Sequence, residues 1–437
     1  MNTIDLRTIK QIHMIGIGGI GISALAQFLI NHGKKITAND LEEFPMVSFL
    51  RKKGVRVVLG SSPEVIPEGT DLIVYSGAWV TLGPELLLYA KTLGVPVLSY
   101  PEMLSIISKN TRTIAIAGSH GKTTTTAMVA HVLIEAKRDP TVIVGSVMKE
   151  LGSNFRAGKS DLLIIEADEY RRAFLNLTPE ILVITNIDLD HLDYYKDIAD
   201  IKSAYRELIA RMGGHGVVLY DSRNTDSVEV VSGISSRAVD YRAFLKQRDM
   251  PQPGAHYQLD AAAACAVASE LGIAAEVYDR IITTFPGTAR RLEERGRLPS
   301  GALVIDDYAH HPREIQATLA ALRERFPPSM SRIIVVFHPH LYSRTRTLWE
   351  GFVNAFSNAD VVSLLPIYAA RETPEADVTS ERLAADIGAA KNDTVSVFSS
   401  FEDAAMGIAN LKPGPNDVVV TMGAGEAFKV GDILLGK

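Results

Sequence analysis

Two glycine-rich turns and two acidic clusters carry most of the side chains in this 437-residue chain that could do chemistry. Gly16-Ile17-Gly18-Gly19-Ile20-Gly21 fits G-x-G-x-x-G, follows an apolar strand pattern and opens a helical one. Glycines there let the backbone approach a pyrophosphate, and the helix start offers free N–H groups and partial positive charge. Asp40 lies about 20 residues on, where an acid would meet a ribose. Taken alone, the turn reads as a nicotinamide site, or as a tight Rossmann turn with no ligand. A second loop, Gly118-Ser119-His120-Gly121-Lys122-Thr123, lacks the first Walker A glycine, because Ile116 stands there. It keeps Gly121 for the close turn, Lys122 for the β- and γ-phosphates, and Thr123 with a hydroxyl for Mg²⁺. Thr124 continues the run of hydroxyls at the helix start. Phosphoryl transfer needs acids nearby to hold the metal, and Glu166-Ala167-Asp168-Glu169 ends an apolar strand. The cluster Asn186 to Asp193 sets His191 among acids at another strand end, either as a metal ligand or as a packing histidine.

These residues need elements that place them at one edge of a sheet. Short apolar runs predict strands at Ile12–Ile17, Lys35–Ala38, Val55–Leu59, Leu72–Tyr75 and Val95–Leu98, with helical patterns between most of them. The grammar restarts at Thr113–Ala117, with Thr123–Ala136 as a helix and Leu162–Ile165 and Ile181–Ile184 as strands. It restarts again at Ala302–Ile305, with a helix over Pro312–Arg325 and strands at Arg332–Phe337, Asp360–Leu365, Val395–Phe398 and Val418–Met422. Alternation of this kind predicts an α/β protein of parallel sheets. Three domains are expected: 1–107 Rossmann-like, 108–296 of central P-loop ATPase type, and 297–437 again Rossmann-like. Acids at the carboxyl ends of parallel strands face the ligand crevice.

Composition bounds the rest. Charged residues make up 22% and hydrophobic residues 46%, as in ordinary globular proteins, and the net charge of −6 argues against a nucleic-acid binder. The single cysteine, Cys265, cannot form an intramolecular disulfide and fits a reducing compartment. No apolar run reaches transmembrane length, and Asp5, Arg7 and Lys10 do not suit a signal peptide, so a cytoplasmic enzyme with no membrane partner is expected.

Two phosphate-type loops in one chain resemble the Mur ligase family of bacterial cell-wall synthesis. The resemblance runs over nearly the whole chain: Ile12–Gly21, Gly118–Thr126, Glu166–Glu169, Asp190-His191-Leu192-Asp193, Phe285–Glu293, Asp306-Asp307-Tyr308-Ala309-His310-His311-Pro312 and Phe337–Thr345. Within the family, members that load L-alanine onto UDP-N-acetylmuramate match best. Murein-peptide-recycling members rank second, since they carry Phe where Tyr308 stands. The resemblance implies an ATP-dependent, ADP-forming ligase that activates the lactyl carboxylate as an acyl phosphate, which the amine then attacks. It implies UDP-sugar binding by Gly16, Gly18, Gly19, Ile20 and Gly21 with Asp40 and Ser76, and ATP binding by Gly118–Thr124 with Arg290 and Asp306. Mg²⁺ would be held by Thr123, Glu166 and His191. Lys122, Glu166, His191, His120 and Arg344 would be catalytic, and Tyr308, His310, His311 and Arg344 would position the amino acid. A monomer or homodimer is expected. Other readings are a ligase with another acceptor, a nicotinamide oxidoreductase, and a non-catalytic UDP-sugar or ATP sensor.

Several positions depart from the family pattern. Ser119 replaces Thr, Arg171 replaces Asp, and Leu341 replaces the Arg that follows His340 and would share the amino acid's carboxylate with Arg344. Tyr257 and Asp260 replace two adenine-site asparagines, with Tyr257 expected to stack on the base instead. The stretch Tyr241–Pro253 is short, so the central domain is expected to lack a small antiparallel element.

Overall fold

The computed structural model describes residues 4–191, 194–370 and 372–437, so Leu192 and Asp193 of the second acidic cluster lie outside the described residues. The described residues build three sheets in succession. The first contains β1 (Gln11–Ile15), β2 (Lys35–Asp40), β3 (Arg56–Leu59), β4 (Leu72–Tyr75) and β5 (Val97–Ser99), in the order β3-β2-β1-β4-β5 and all parallel. Ile12 to Ile15 are all buried, His13 among them, as expected for a central strand of a parallel sheet. Strand order reverses between β1 and β4, and ligand crevices form at such points. The Gly16–Gly21 turn and Ser76 directly follow those two strands.

The second sheet contains β6 (Arg112–Ala117), β7 (Thr141–Met148), β8 (Ser153–Arg156), β9 (Leu162–Glu166), β10 (Ile181–Ile184), β11 (Val217–Tyr220) and β12 (Arg237–Asp240). Its order is β12-β11-β10-β6-β9-β7-β8, with only β8 antiparallel. β6 pairs with both β9 and β10, so the Gly118 loop, Glu166 and Thr185-Asn186 emerge side by side at one edge. The hairpin β7–β8 and strands β11 and β12 are not among the strands expected from sequence. From Asp240 the chain makes one short 3-10 turn, Tyr241–Phe244, and reaches the helix Ala255–Glu270.

The third sheet contains β13 (Glu293–Arg297), β14 (Leu303–Asp307), β15 (Ile333–Phe337), β16 (Val361–Leu364), β17 (Ser396–Val397) and β18 (Val418–Met422). Its order is β13-β14-β18-β15-β16-β17, and only β13 is antiparallel. A core of Val304, Ile334, Val336, Val419 and Ile408 lies beneath it.

The chain packs into two compact units. The first is Met1–Asp188, Ile198–Phe244 and Ala262–Ile282; the second is Leu189–Asp197, Leu245–Ala261 and Thr283–Lys437. The first unit therefore contains two sheets, and a buried polar network ties them. Gln27, on the helix after the glycine turn, donates to Asn154 Oδ1 at 2.9 Å and accepts from Ser153 Oγ at 3.1 Å. Asn154, fully buried, donates in turn to the Ile20 carbonyl and to Ser23 Oγ. Both Gln27 and Asn154 thus have partners, as buried amides require. Among the described residues, no helix is long and apolar enough to cross a membrane.

Candidate active site

In the first unit, the glycine turn is shaped by what presses on it. Gly16 has φ +82°, and a Cβ there would lie 2.3 Å from the Trp79 ring. A Cβ on Gly18 would meet the half-exposed Phe44 at 2.5 Å. Ser76 packs beside Gly16, and Ile20 starts the helix half-exposed. Asp40 is buried, accepts the Gly18 N–H at 2.7 Å and the Leu41 N–H at 2.8 Å, and burial pushes its carboxyl up. In this structure it braces the turn through these two bonds.

The second loop is stapled to the end of β10. The His120 N–H donates to Asn186 Oδ1 at 3.0 Å, and the His120 carbonyl accepts from Thr185 Oγ1 and Asn186 Nδ2. Ser119 Oγ and the Asp188 backbone bond each other both ways, and His120 Nε2 lies 3.2 Å from Asp188 Oδ2. A Cβ on Gly118, at φ +137°, would collide with Thr185 Oγ1, so only glycine fits. Gly121, left-handed at φ +80°, precedes the helix Lys122–Glu135.

Lys122 Nζ donates to the Gly118 carbonyl at 2.5 Å and to both Glu169 oxygens at 2.9 and 3.0 Å. Burial would depress this amine, but Glu169 and then Asp168 outweigh it and hold the Lys122 pKa above its usual value. Glu169, one of the strand-end acids read from sequence, pairs with Lys122 rather than standing free at the loop. Thr123 Oγ1 donates to Glu166 Oε1 at 2.9 Å, and the Gly145 N–H donates to Oε2 at 2.7 Å. Thr124 is buried in the first helical turn. Arg171 and Arg172 have left-handed φ of 51° and 57°. Arg172 pairs with Asp200 and Glu207, while Arg171 lies over the Tyr170 ring.

In the second unit, Asp306 is fully buried and bonds Arg290 Nε at 2.9 Å and Thr421 Oγ1 at 2.7 Å. The expected nucleotide contact finds no exposed oxygen here, since Asp306 is fully buried against Arg290 and Thr421. The Arg290 guanidinium also donates to the Gly423 carbonyl and lies 4.9 Å over the Tyr308 ring. Asp307 accepts the Leu292 and Ala309 N–H groups and is pushed up to about 6 by burial, so it shapes the Tyr308–His311 loop. His311 caps the helix Pro312–Arg325, its Nδ1 accepting the Arg313 N–H.

The same unit has a cavity of about 150 Å³ lined by Leu189, Asp190, His191, Leu341, Ser343, Arg344, Arg346, Thr347 and Leu348. Arg344 donates to Asp190 at 3.1 Å and to His340 Nδ1 at 3.2 Å. Burial alone would raise the Asp190 carboxyl, but Arg344, then His191 and His310, hold it far below the usual carboxylate range. Arg344 thus already carries a carboxylate, a feature missed in the sequence because 154 residues separate the pair. Leu341 does line this cavity, at φ +69° just before the helix Tyr342–Thr347. Arg346 pairs with Glu375 at the surface.

One expectation fails at Tyr257. It is 3% exposed, enclosed by protein beside Asp307 and Arg291, and so offers no open face for a base. Its neighbour Gln258 spends its amide on the main chain of Arg248, donating at 2.8 Å and accepting at 3.0 Å.

Three α/β domains, the second built on a Lys-Thr phosphate loop backed by strand-end acids, define a nucleotide-dependent enzyme of the ligase class. Three family descriptions match in order: Mur ligase family, catalytic domain, at residues 11–112; Mur ligase middle domain at 116–268; and Mur ligase, glutamate ligase domain, at 290–425. The UDP-N-acetylmuramate–L-alanine ligase of Sorangium cellulosum is 39% identical over 96% of this chain and 94% of its own. That of Geotalea uraniireducens is 37% identical over 98% of both. The solved UDP-N-acetylmuramate–alanine ligase of Thermotoga maritima is similar in fold, with TM-score 0.81 and 24% identity over 98% of both chains. The chain belongs to the Mur ligase family.

Proposed function

We propose that this chain joins L-alanine to the lactyl carboxylate of UDP-N-acetylmuramate, converting ATP to ADP and phosphate through an acyl phosphate, in peptidoglycan precursor synthesis. The observation that supports it most is Lys122 held between the Gly118 carbonyl and Glu169 beside the Thr123–Glu166 pair. The full-length similarity to relatives so named adds to it. Expected boundaries near 107/108 and 296/297 divide the labour. The Gly16–Gly21 turn, with Asp40 bracing it and Ser76 beside it, takes the UDP-sugar. The Gly118–Thr124 loop and Arg290, itself held by Asp306, take ATP. His120 binds the substrate carboxylate, and Tyr308, His310, His311 and Arg344 take the amino acid.

A carboxylate is a poor electrophile, and bringing it against a triphosphate opposes two anions. Lys122 places a fixed positive charge where that repulsion peaks. Glu169 keeps the amine charged and aimed until phosphate competes for it. The donor set suits magnesium, since Thr123, Glu166 and Glu169 offer hydroxyl and carboxylate oxygens at one sheet edge, and His191 is proposed as a further ligand. When bound, the ion would neutralise charge on the transferring group.

The test is phosphate release with UDP-N-acetylmuramate, ATP and each amino acid in turn. Release should require all three substrates and be fastest with L-alanine. Turnover without the UDP-sugar would overturn the proposal, and faster release with a larger apolar amino acid would assign another acceptor.

A further inference from the structure

Amide formation leaves a proton to be removed, since an amine that attacks an acyl phosphate becomes cationic as the C–N bond forms. Three imidazoles on two neighbouring loops of the second unit, His310, His311 and His340, differ in which nitrogen keeps a lone pair. His340 Nδ1 accepts from the Arg344 guanidinium at 3.2 Å, so its Nε2 carries hydrogen. His311 Nδ1 accepts the Arg313 N–H at 3.3 Å, so its Nε2 also carries hydrogen. His310 is reversed. Its Nδ1 lies 3.0 Å from the Tyr308 carbonyl, which can only accept, and 3.3 Å from Glu314, so Nδ1 is the donor. The lone pair is left on Nε2. No hydrogen bond to His310 Nε2 is made among the described residues, and 16% of the side chain is exposed.

We propose that His310 Nε2 is the general base that takes the proton from the attacking amine, an inference that rests on the ligase reading above. The ring packs edge-on to Tyr308 and His340, at 5.3 and 6.1 Å between centroids. The charges facing it are Glu314, Asp190 and Arg344. Asp190 is a poor rival, because its Oδ1 already accepts from Arg344 and from the His191 N–H. Burial brings the His310 imidazole down to about 4, with Glu314 and Asp190 opposing and Arg344 assisting. It is therefore neutral, with its lone pair available, throughout the neutral range.

The neutral amine attacks the acyl carbon, the C–N bond forms, and the C=O π pair moves to oxygen. His310 Nε2 removes one proton from the cationic nitrogen. The oxyanion re-forms C=O while the C–O bond to phosphate breaks, and phosphate leaves with that electron pair. The imidazolium then returns its proton to solvent.

The two half-reactions separate this role from all others. His310→Gln and His310→Asn are compared with the unaltered enzyme in single-turnover ADP formation without amino acid, in L-alanine ligation, and with hydroxylamine as acceptor. Hydroxylamine is largely unprotonated at neutral pH and its adduct loses a proton readily without a base. Expected is a loss of at least about 10²-fold in the kcat of alanine ligation, larger than either the rise in alanine KM that the place of His310 in the amino-acid site also brings or the change in ADP formation. Hydroxylamine capture should fall only severalfold, and the variants' alanine rate should climb with pH where the unaltered enzyme is flat. ADP formation also reports that each variant is folded. Equal losses with alanine and hydroxylamine, or a change confined to the alanine KM, would overturn the base role. Absence of ADP formation by the unaltered enzyme with UDP-N-acetylmuramate would instead overturn the ligase reading itself.

Discussion

Replacing Lys122 with Met should produce two effects that come apart in a double variant. The Lys122–Glu169 pair is 2.9 Å long, and the Glu169 side chain is 2% exposed. Removing the lysine leaves a carboxylate enclosed without its cation. Breaking a buried pair from one side costs roughly 3–5 kcal/mol. Adding Glu169→Gln removes the stranded charge, and the double variant should recover most of that loss, ending within about 1 kcal/mol of the unaltered chain. Turnover should not recover. Loss of a positive charge from the transferring phosphoryl group should lower ADP formation at least about 10²-fold in both variants. Urea unfolding of the three proteins, followed by tryptophan fluorescence, gives the stability difference, and coupled ADP release gives the rate. Wild-type turnover in Lys122→Met would refute the phosphate-loop assignment. An undiminished unfolding midpoint in the single variant would refute the claim that Glu169 depends on Lys122.

Other perturbations follow from the same geometry. Leu341→Arg places a second guanidinium at the cavity that contains Arg344 and should lower the KM for L-alanine about tenfold, equivalent to roughly 1.5 kcal/mol, with the KM for ATP unchanged; an unaltered alanine KM removes position 341 from the amino-acid site. Gly16→Ala drives a methyl into Trp79 at a left-handed φ and should weaken UDP-sugar binding by more than tenfold in calorimetry; retained affinity would mean that the turn does not contact the ligand. His13 is fully buried and burial brings its pKa down to about 4, so the folded state binds fewer protons than the unfolded chain between pH 6.5 and 4. Stability should therefore fall as pH drops through that window, by up to about 3 kcal/mol from this group. His13→Gln should flatten the acid limb of a urea-midpoint titration, and an unchanged limb would assign the loss elsewhere.

Much of this was legible because glycines and apolar runs are local signals. Ile12–Gly21 and Thr113–Thr123 each present a buried strand, a close turn and a helix start within a dozen residues, and Asp306–Pro312 is a continuous string. Two of the missed strands, β12 and β13, are partly exposed edge strands. β12 and β13 carry Arg237 and Asp240, and Glu293, Glu294 and Arg297, at sheet edges where charge is tolerated. β7 is interrupted by Gly145, which has to be small because Glu166 lies 2.6 Å from where its Cβ would stand. At the candidate site, residue types were readable and partners were not. Nothing near Lys122 in sequence points to Glu169, and nothing near Arg344 points to Asp190. The enclosure of Tyr257 is likewise invisible in sequence, because it is set by distant packing partners such as Asp307 and Arg291.

The interleaving of the two compact units bears on how the chain is made. The first unit is not complete until Ile282, so about two thirds of the 437 residues must leave the ribosome before its last helices can dock. By then Leu189–Asp197 and Leu245–Ala261 are already outside, waiting for partners that begin only at Thr283. At roughly 5–20 residues per second, the remaining 155 residues take on the order of ten to thirty seconds. During that interval Asp190 has no Arg344 to pair with, and Tyr257 has none of the third domain over its ring. A nascent chain stalled near residue 282 should expose both segments to protease and to chaperones, and release them from both as Arg344 and β14 to β18 emerge.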